Sequence, residues 1–259
     1  MTTDSKDISD WVGSVHLGDC LDVMGQMPSE SVNVIVTSPP YNLKNSTGNG
    51  MKSKGSRFWR NPALRDGGYD GHSDDMPHDE YVAWQRACLD EMLRLLRPDG
   101  AIFYNHKWRV QAGLMQDRQD IVSGFPVRQV LIWERNGGMN FNPGYFLPNY
   151  EVIYLIPKPE FRLAAKANGV GCVWRFDYAK DNKHPAPFPF DLADRCVRSV
   201  YRDPEEEFVV LDPFMGSGTT AVAAIANEAL WVGVDISEAY VEMAEARVME
   251  AYARKEVSV

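Results

Sequence analysis

Short apolar runs punctuate the chain, and amphipathic stretches with helical period separate several of them. Val32 to Thr37 (VNVIVT) is β-branched and continuous, so it predicts a buried strand, stopped by Ser38-Pro39-Pro40. Ahead of it, Gly18 to Met24 has the form of a strand-to-helix turn, and Pro28 closes the short helix. His78 to Leu96 places Tyr81, Trp84, Cys88, Met92 and Leu95 at helical spacing and runs into Arg97-Pro98-Asp99-Gly100, a stop signal. Ala101 to Tyr104, Val127 to Trp133 and Glu151 to Ile156 are the next predicted strands. Phe190 to Tyr201 predicts a helix and Phe208 to Leu211 a strand. A glycine turn and a helix over Thr220 to Glu228 follow. Leu230 to Val234 is a further strand, and Ser237 to Lys255 a closing helix with Ser237 as its N-cap. Strands alternating with helices predict an α/β fold with a doubly wound, mostly parallel sheet.

Two stretches break this rhythm. Residues 43 to 78 are rich in Gly, Ser, Asn and charge and carry no period, so they predict a long loop; 161 to 183 is weakly patterned. The whole 259 residues suit one domain with one filled core.

Composition adds exclusions. No apolar run approaches the roughly 20 residues of a membrane span. Met1 to Trp11 is polar with three Asp and lacks the form of a secretory leader, so a cytoplasmic, soluble protein is expected. The four cysteines are scattered without a CxxC pair, which argues for reduced thiols and against a metal site. Net charge is −9, which by itself disfavours a polyanionic partner. Locally the balance inverts. Leu43 to Arg65 holds Lys44, Lys52, Lys54, Arg57, Arg60 and Arg65 and no acid. On charge alone this run reads as a solvated loop.

Candidate chemistry sits at two turns. Val209 to Thr220 (VVLDPFMGSGTT) is strand, Gly-rich turn and helix, the arrangement that receives ligands at the carboxyl edge of an open sheet. Gly216 and Gly218 permit close backbone approach, and the helix N-terminus offers N–H groups to an anion. Asp212 leaves the strand just before the glycines, and Asp235 ends the next strand, where a carboxylate can bind ribose hydroxyls. A phosphate-binding loop of the ATP type needs a lysine that is missing, and the third glycine of a dinucleotide site is Ala221. S-adenosylmethionine fits better. The loop N–H groups and the Thr219 and Thr220 hydroxyls suit its carboxylate, Asp212 its cationic end and Asp235 its ribose. At the second turn, Ser38-Pro39-Pro40-Tyr41, two prolines freeze the backbone and remove two donors. The Ser38 hydroxyl and the Ser38 and Pro39 carbonyls remain as acceptors beside an aromatic ring.

Ser38-Pro39-Pro40-Tyr41 resembles the catalytic motif of DNA amino-methyltransferases, and Phe214 to Thr220 resembles their cofactor motif. The catalytic motif comes first, as in the circularly permuted beta class. Gly18-Asp19-Cys20-Leu21 is similar to the family segment that meets the cofactor adenine. Asn105-His106-Lys107 follows its strand as in the family, and His184 to Pro189 is similar to a His-Pro-x-x-x-Pro segment. The resemblance spans roughly residues 14 to 250. It implies a single Rossmann-like methyltransferase domain over 1–259 using S-adenosylmethionine, held by Asp19, Cys20, Thr37, His184, Asp212, Phe214, Gly216, Ser217, Gly218, Thr219, Thr220 and Asp235. It implies catalysis by Ser38, Pro39, Pro40 and Tyr41 on a base flipped from double-stranded DNA. No metal is called for. Cytosine C5 chemistry needs a nucleophilic cysteine, usually after a proline, and none of the four follows one.

The resemblance also reweighs the basic run. Lys44, Lys52, Lys54, Arg57, Arg60 and Arg65 become a candidate DNA-contacting loop over 43–78, and Trp108, Arg109, Arg162, Lys166, Arg175, Lys180 and Lys183 a second candidate surface. The recognition insert, 157–183, is short, which implies a short target, recognition shared with the loop, or a second subunit in a homodimer. A serine at the head of the tetrad favours N4 of cytosine, with N6 of adenine the alternative. RNA or a protein side-chain amide as acceptor, a non-catalytic partner subunit and a nicotinamide dehydrogenase are more distant readings.

Overall fold

The structure, a computed structural model, describes residues 7–42, 75–111, 113–136, 140, 143–176, 189–203 and 205–257. Eight strands form one sheet: β1 (Ser14–Leu17), β2 (Val32–Thr37), β3 (Leu96–His106), β6 (Gln129–Glu134), β7 (Tyr150–Pro157), β8 (Val173–Arg175), β9 (Val209–Asp212) and β10 (Leu230–Asp235). Their order is β1-β10-β9-β2-β3-β7-β6-β8. Neighbours from β1 to β3 are parallel, as are β6 and β8; β7 is antiparallel to both β3 and β6, so it alone is reversed. A separate hairpin, β4 (Arg109–Gln111) with β5 (Leu114–Gln116), follows β3.

Among the described residues six helices cover the two faces: α1 (Cys20–Met24), α2 (His78–Leu95), α3 (Gln119–Val122), α4 (Phe190–Ser199), α5 (Thr219–Ala226) and α6 (Glu238–Val257). The period of two along the strands divides the core. Val34, Val36, Phe103 and Ile153 point to one side and pack with Leu192, Cys196, Ala221, Ala224 and Ala244 of α4, α5 and α6. Ile35, Ile102, Tyr104 and Val152 point to the other and meet Val23, Tyr81, Leu89 and Met92 of α1 and α2. Both faces are buried, which is why β2 reads as an unbroken apolar run.

The connections fix where a site can form. From β2 the chain passes to β3 on one side, and from β9 it passes to β10 on the other. Strands β2 and β9 are adjacent and parallel, so a crevice opens beyond their carboxyl ends. Both candidate turns leave from there.

The predicted elements are present, with shifted ends. The Pro98-Asp99-Gly100 turn is looped out within β3, and the β2–β3 register jumps there: Val32 pairs with Leu96 but Val34 with Ala101. The patternless stretch hides β8, and β1 and the β4–β5 hairpin are too short to show a period. Ser237 caps α6, accepting from the Tyr240 N–H at 3.3 Å. Among the described residues no helix is long and apolar enough to cross a membrane.

The looped-out segment depends on Gly100. A Cβ there would stand 2.8 Å from the Asn33 carbonyl oxygen and 3.0 Å from Leu96 Cδ2. Gly100→Ala must therefore push β2 and β3 apart, and chemical denaturation should show a loss of about 1–3 kcal/mol.

Candidate active site

Thr37 ends β2 and Asp212 ends β9. Their side chains meet, the Thr37 hydroxyl donating to Asp212 Oδ1 at 2.8 Å. Asp212 Oδ1 also accepts the Phe214 N–H at 3.1 Å, and Oδ2 accepts the Thr220 hydroxyl at 2.7 Å. One buried carboxylate thus ties the strand leading into the Ser-Pro-Pro-Tyr turn, the glycine turn and the start of α5 together. Burial pushes the carboxyl up to about 6, against the pull of its three hydrogen bonds and with a further push from nearby Asp235.

In the glycine turn, Gly216 has φ 52° and Gly218 φ 78°. The Gly216 N–H donates to Asp235 Oδ2 at 2.7 Å, and Asp235 Oδ1 accepts from Ser237 N at 3.0 Å. Gly218 serves packing too, since a Cβ would lie 3.0 Å from Ala244 Cα on α6. Ser217 and Thr219 face that helix: Arg247 Nη1 donates to the Ser217 hydroxyl at 2.9 Å and the Thr219 hydroxyl at 3.2 Å, and also to the Ser217 carbonyl. The Thr220 hydroxyl is held by Asp212. Both hydroxyls expected for the cofactor carboxylate, those of Thr219 and Thr220, therefore have partners inside the protein.

Beside this turn, Gly18 N–H donates to the Asp235 carbonyl at 2.9 Å, which brings the Gly18-Asp19-Cys20 segment to the same edge. Asp19 caps α1 through the Leu21 N–H at 2.8 Å. The Cys20 side chain turns inward, its Sγ 3.7 Å from that of Cys88. The half-buried Phe214 ring meets Trp84 edge to face at 5.7 Å. Trp84, at a helical-period apolar position of α2, is partly buried against the core of that face.

The Ser-Pro-Pro-Tyr turn is held from two sides. On one, the Pro40 carbonyl accepts from the Tyr81 hydroxyl at 2.9 Å and from Gln85 Nε2 at 3.3 Å. Gln85 Oε1 accepts from Tyr104, and His106 Nε2 lies 2.9 Å from the Tyr81 hydroxyl. With the Tyr81 proton on the Pro40 carbonyl, His106 Nε2 is the donor to the Tyr81 oxygen, and Nδ1 accepts the Lys107 N–H at 2.8 Å. With Pro40 occupied, the Ser38 and Pro39 carbonyls are the acceptors left for a ligand. On the other side, Ser38 Oγ is 2.7 Å from the Tyr41 hydroxyl, which donates to Glu151 Oε2 at 3.1 Å. Asn105 Nδ2 reaches Tyr41 at 2.7 Å, Glu151 at 3.0 Å and Ser38 at 3.3 Å, and Arg135 Nη1 donates to Glu151 Oε1 at 2.8 Å. Tyr41 is buried, its ring 4.9 Å from that of His106.

These atoms come from β2, β3, β6, β7 and α2. Because β7 is reversed, its first residues sit at the same edge as the ends of β2 and β3: Val152 pairs with His106. Sequence reasoning placed Glu151 at the head of a strand without a role. The available signal was a lone carboxylate in an otherwise apolar run that both faces of the sheet bury. Arg135, Tyr81 and Gln85 gave no sign.

Candidate DNA contacts divide. Lys44, Lys52, Lys54, Arg57, Arg60 and Arg65, with His184, Lys180 and Lys183, lie outside the described residues. Among the described residues that flank the segment, Asn42 Nδ2 donates to the Met76 carbonyl at 2.8 Å and Arg109 Nη1 to the Asn42 carbonyl at 3.1 Å. The second surface is not continuous. Strand β7 ends far from the catalytic edge, Pro157 pairing with Ala101, so Arg162 and Lys166 stand at the opposite edge. Arg175 is paired with Glu134 at 2.6 Å, and Trp108 donates to the Tyr154 hydroxyl at 2.7 Å.

With this geometry in view, comparison with known proteins is informative. Residues 32–246 match the family model described as DNA methylase, of the N6/N4 methyltransferase type. The chain belongs to this family. It is a DNA amino-methyltransferase, and its cofactor is S-adenosylmethionine. It is 24% identical to Type II methyltransferase M.BglII from Bacillus subtilis, over 90% of this chain and 68% of that one. It is also 24% identical to Type II methyltransferase M2.MboI from Moraxella bovis, over 92% and 88%. A putative DNA modification methylase from Thermus thermophilus, solved with S-adenosyl-L-methionine, superposes with TM-score 0.63 at 26% identity, over 92% and 95%. The fold is also that of the cytosine-N4-specific PvuII DNA methyltransferase, with TM-score 0.68 at 17% identity, over 93% and 91%. The family's Rossmann-like sheet is the one described above.

The cluster makes a pH prediction. Burial, with Arg118 adding repulsion, lowers His106 from 6.5 to about 3. The folded state therefore refuses a proton that the unfolded chain accepts below about 6.5. His106 contributes stability that is complete above that value and is lost as pH falls toward 3. Nitrogen-15 spectra of the labelled protein should show His106 as the neutral Nε2–H tautomer, unchanged between about pH 5 and 8.

Proposed function

We propose that the chain methylates an exocyclic amine in double-stranded DNA, N4 of cytosine, with the Ser-Pro-Pro-Tyr turn as its catalytic element. The observation that carries this reading is the Thr37–Asp212 hydrogen bond, which sets the acceptor turn and the glycine turn side by side at the strand ends.

The residues fit the cofactor. Burial, with a smaller push from nearby Asp235, disfavours the charge on Asp212, and a cationic ligand would favour it. We assign Asp235 to the ribose hydroxyls, Phe214 with the Asp19-Cys20 segment to the adenine, and the amides after Gly216 to the carboxylate. Thr37, Ser217, Thr219 and Thr220 shape this pocket through their bonds to Asp212 and Arg247 rather than through free hydroxyls. His184 remains assigned on resemblance. The cofactor supplies a methyl group activated on a sulfonium.

The amine of a base is a poor nucleophile because its lone pair is delocalised into the ring. The Ser38 hydroxyl and the Pro39 carbonyl accept its two N–H bonds, localising that lone pair as the methyl arrives. Pro39 and Pro40 keep these acceptors rigid, and the turn's position beside the cofactor pocket supplies alignment. Tyr41 presents its ring edge and hydroxyl within the same cluster and forms one wall for the flipped base.

DNA approaches the carboxyl edge of the sheet. Asn42, Met76 and Arg109, which flank the basic segment in the sequence, are tied together there, and we assign phosphate contacts to the segment's six cations. Leu114, Met115 and Phe146 stand exposed on the hairpin and loop of that edge, a surface suited to a macromolecule. The insert over 157–183 begins at the far edge and returns through β8, so we assign target reading to its last residues together with the basic loop. A role in restriction–modification, in a single-domain enzyme, matches the Type II relatives.

Mass spectrometry of nucleosides from DNA treated with the enzyme should reveal N4-methylcytosine. N6-methyladenine would change the target base, and label confined to RNA or protein would overturn the reading. Ser38→Ala should lower kcat by about 100-fold with little effect on cofactor affinity. Asp212→Asn provides a separate check. An amide can satisfy Thr37 and Phe214 through its oxygen and Thr220 through its NH2, so the fold survives. With the carboxylate's charge gone, calorimetry should show S-adenosylmethionine binding roughly tenfold weaker.

A further inference from the structure

The hydrogen bonds around Ser38 have a direction, and Glu151 sets it. A carboxylate only accepts, so the Tyr41 hydroxyl must point its proton at Glu151 Oε2, 3.1 Å away. The Tyr41 oxygen then has only lone pairs to offer, and Ser38 Oγ, 2.7 Å from it, must be the donor. Asn105 strengthens the same sense. Its Nδ2 has two protons, and the nearer acceptors are Tyr41 at 2.7 Å and Glu151 at 3.0 Å. The amide cannot be turned over, because its oxygen would then face a carboxylate. The Ser38 proton is thus drawn away from the substrate side, leaving Ser38 lone pairs for an incoming N–H.

We propose that Glu151 is a positioning residue which, through Tyr41 and Asn105, holds the Ser38 hydroxyl as a hydrogen-bond acceptor toward the target amine. This rests on the catalytic role proposed above for Ser38. Arg135 locks the carboxylate in place. Its Nη1 donates to Oε1 at 2.8 Å, and both side chains are about one-tenth exposed. The strands supply the geometry, since Glu151 heads β7 and pairs with Trp133, two residues before Arg135.

Glu151→Gln tests the direction with almost no change in shape. Arg135 carries only donors, so it takes the glutamine oxygen and turns the NH2 toward Tyr41. With no carboxylate at this position the Tyr41 proton and the Asn105 amide lose the acceptor that oriented them, so the Ser38 proton is no longer held away from the substrate, where it opposes the amine N–H. We expect E151Q to lower single-turnover kcat by about 10- to 100-fold, with KM for DNA and calorimetric affinity for S-adenosylmethionine unchanged. Tyr41→Phe breaks the same chain at its middle. If the groups act in series, the double variant E151Q/Y41F is no slower than the slower single variant.

Losses that multiply in the double variant, or a fall in cofactor affinity and melting temperature alongside kcat, indicate a purely structural role and overturn the proposal. So does an E151Q enzyme within twofold of wild type. Should E151Q show no cooperative melt, Y41F decides alone: about tenfold lower kcat at unchanged cofactor affinity supports the chain, and wild-type kcat overturns it. A wild-type enzyme that labels no DNA overturns the functional reading and this role with it. A wild type that labels DNA beside an equally active E151Q overturns only the role of Glu151.

Discussion

Asp212 is a carboxylate held almost wholly out of water, and the geometry of the crevice depends on its three donors. Removing a charge from water is costly, and here the cost is met by hydrogen bonds from Thr37, Thr220 and the Phe214 amide. Each donor belongs to a different piece of the site. Thr37 ends the strand that leads into the Ser-Pro-Pro-Tyr turn, Phe214 opens the glycine turn, and Thr220 lies in the first turn of α5. Because the three must converge on one group, the spacing between the acceptor turn and the cofactor pocket has little freedom. Burial keeps the carboxyl elevated, to about 6, despite these bonds.

Around that clamp the site is organised by hydrogen-bond direction as much as by distance. Two chains of donors and acceptors reach the catalytic turn. One runs from His106 through Tyr81 to the Pro40 carbonyl and occupies it. The other runs from Ser38 through Tyr41 to Glu151 and leaves Ser38 with lone pairs to offer. In a buried cluster each proton has few places to go, so the direction of a bond at one end fixes the direction at the other. Neutral His106 is part of this. A charged imidazole would donate from both nitrogens and collide with the Lys107 N–H. The turn thus presents its unoccupied acceptors in one pattern, which matches the two N–H bonds of an amine.

The fold serves this by bringing distant segments to one edge. The reversed strand β7 matters most, because reversal puts its first residues beside the last residues of β3 and β2. A parallel β7 would have left Glu151 at the far side of the sheet. The same reversal sends Arg162 and Lys166 to the opposite edge and divides the second basic surface, although the residues lie close in the chain. Meanwhile Asn42, Met76 and Arg109, which flank the basic segment in the sequence, are tied together directly beside Tyr41.

The sequence alone determined the alternating elements, the two turns and the cofactor class, because each is written in contiguous residues. Period, proline stops and glycine placement act over a few positions, and the Asp212 and Asp235 carboxylates announce themselves at strand ends. It left β1, β8 and the small hairpin unseen, since three or four residues carry no readable period. It gave no sign that Arg247, some thirty residues later in the chain, engages the Ser217 and Thr219 hydroxyls. Only the tertiary structure could decide which hydroxyls are spent, which carbonyl is free and which carboxylate orients Ser38. Those are facts about partners brought together from β2, β3, β6, β7 and α2, and a linear pattern holds no record of a contact made across 110 residues, as between Tyr41 and Glu151.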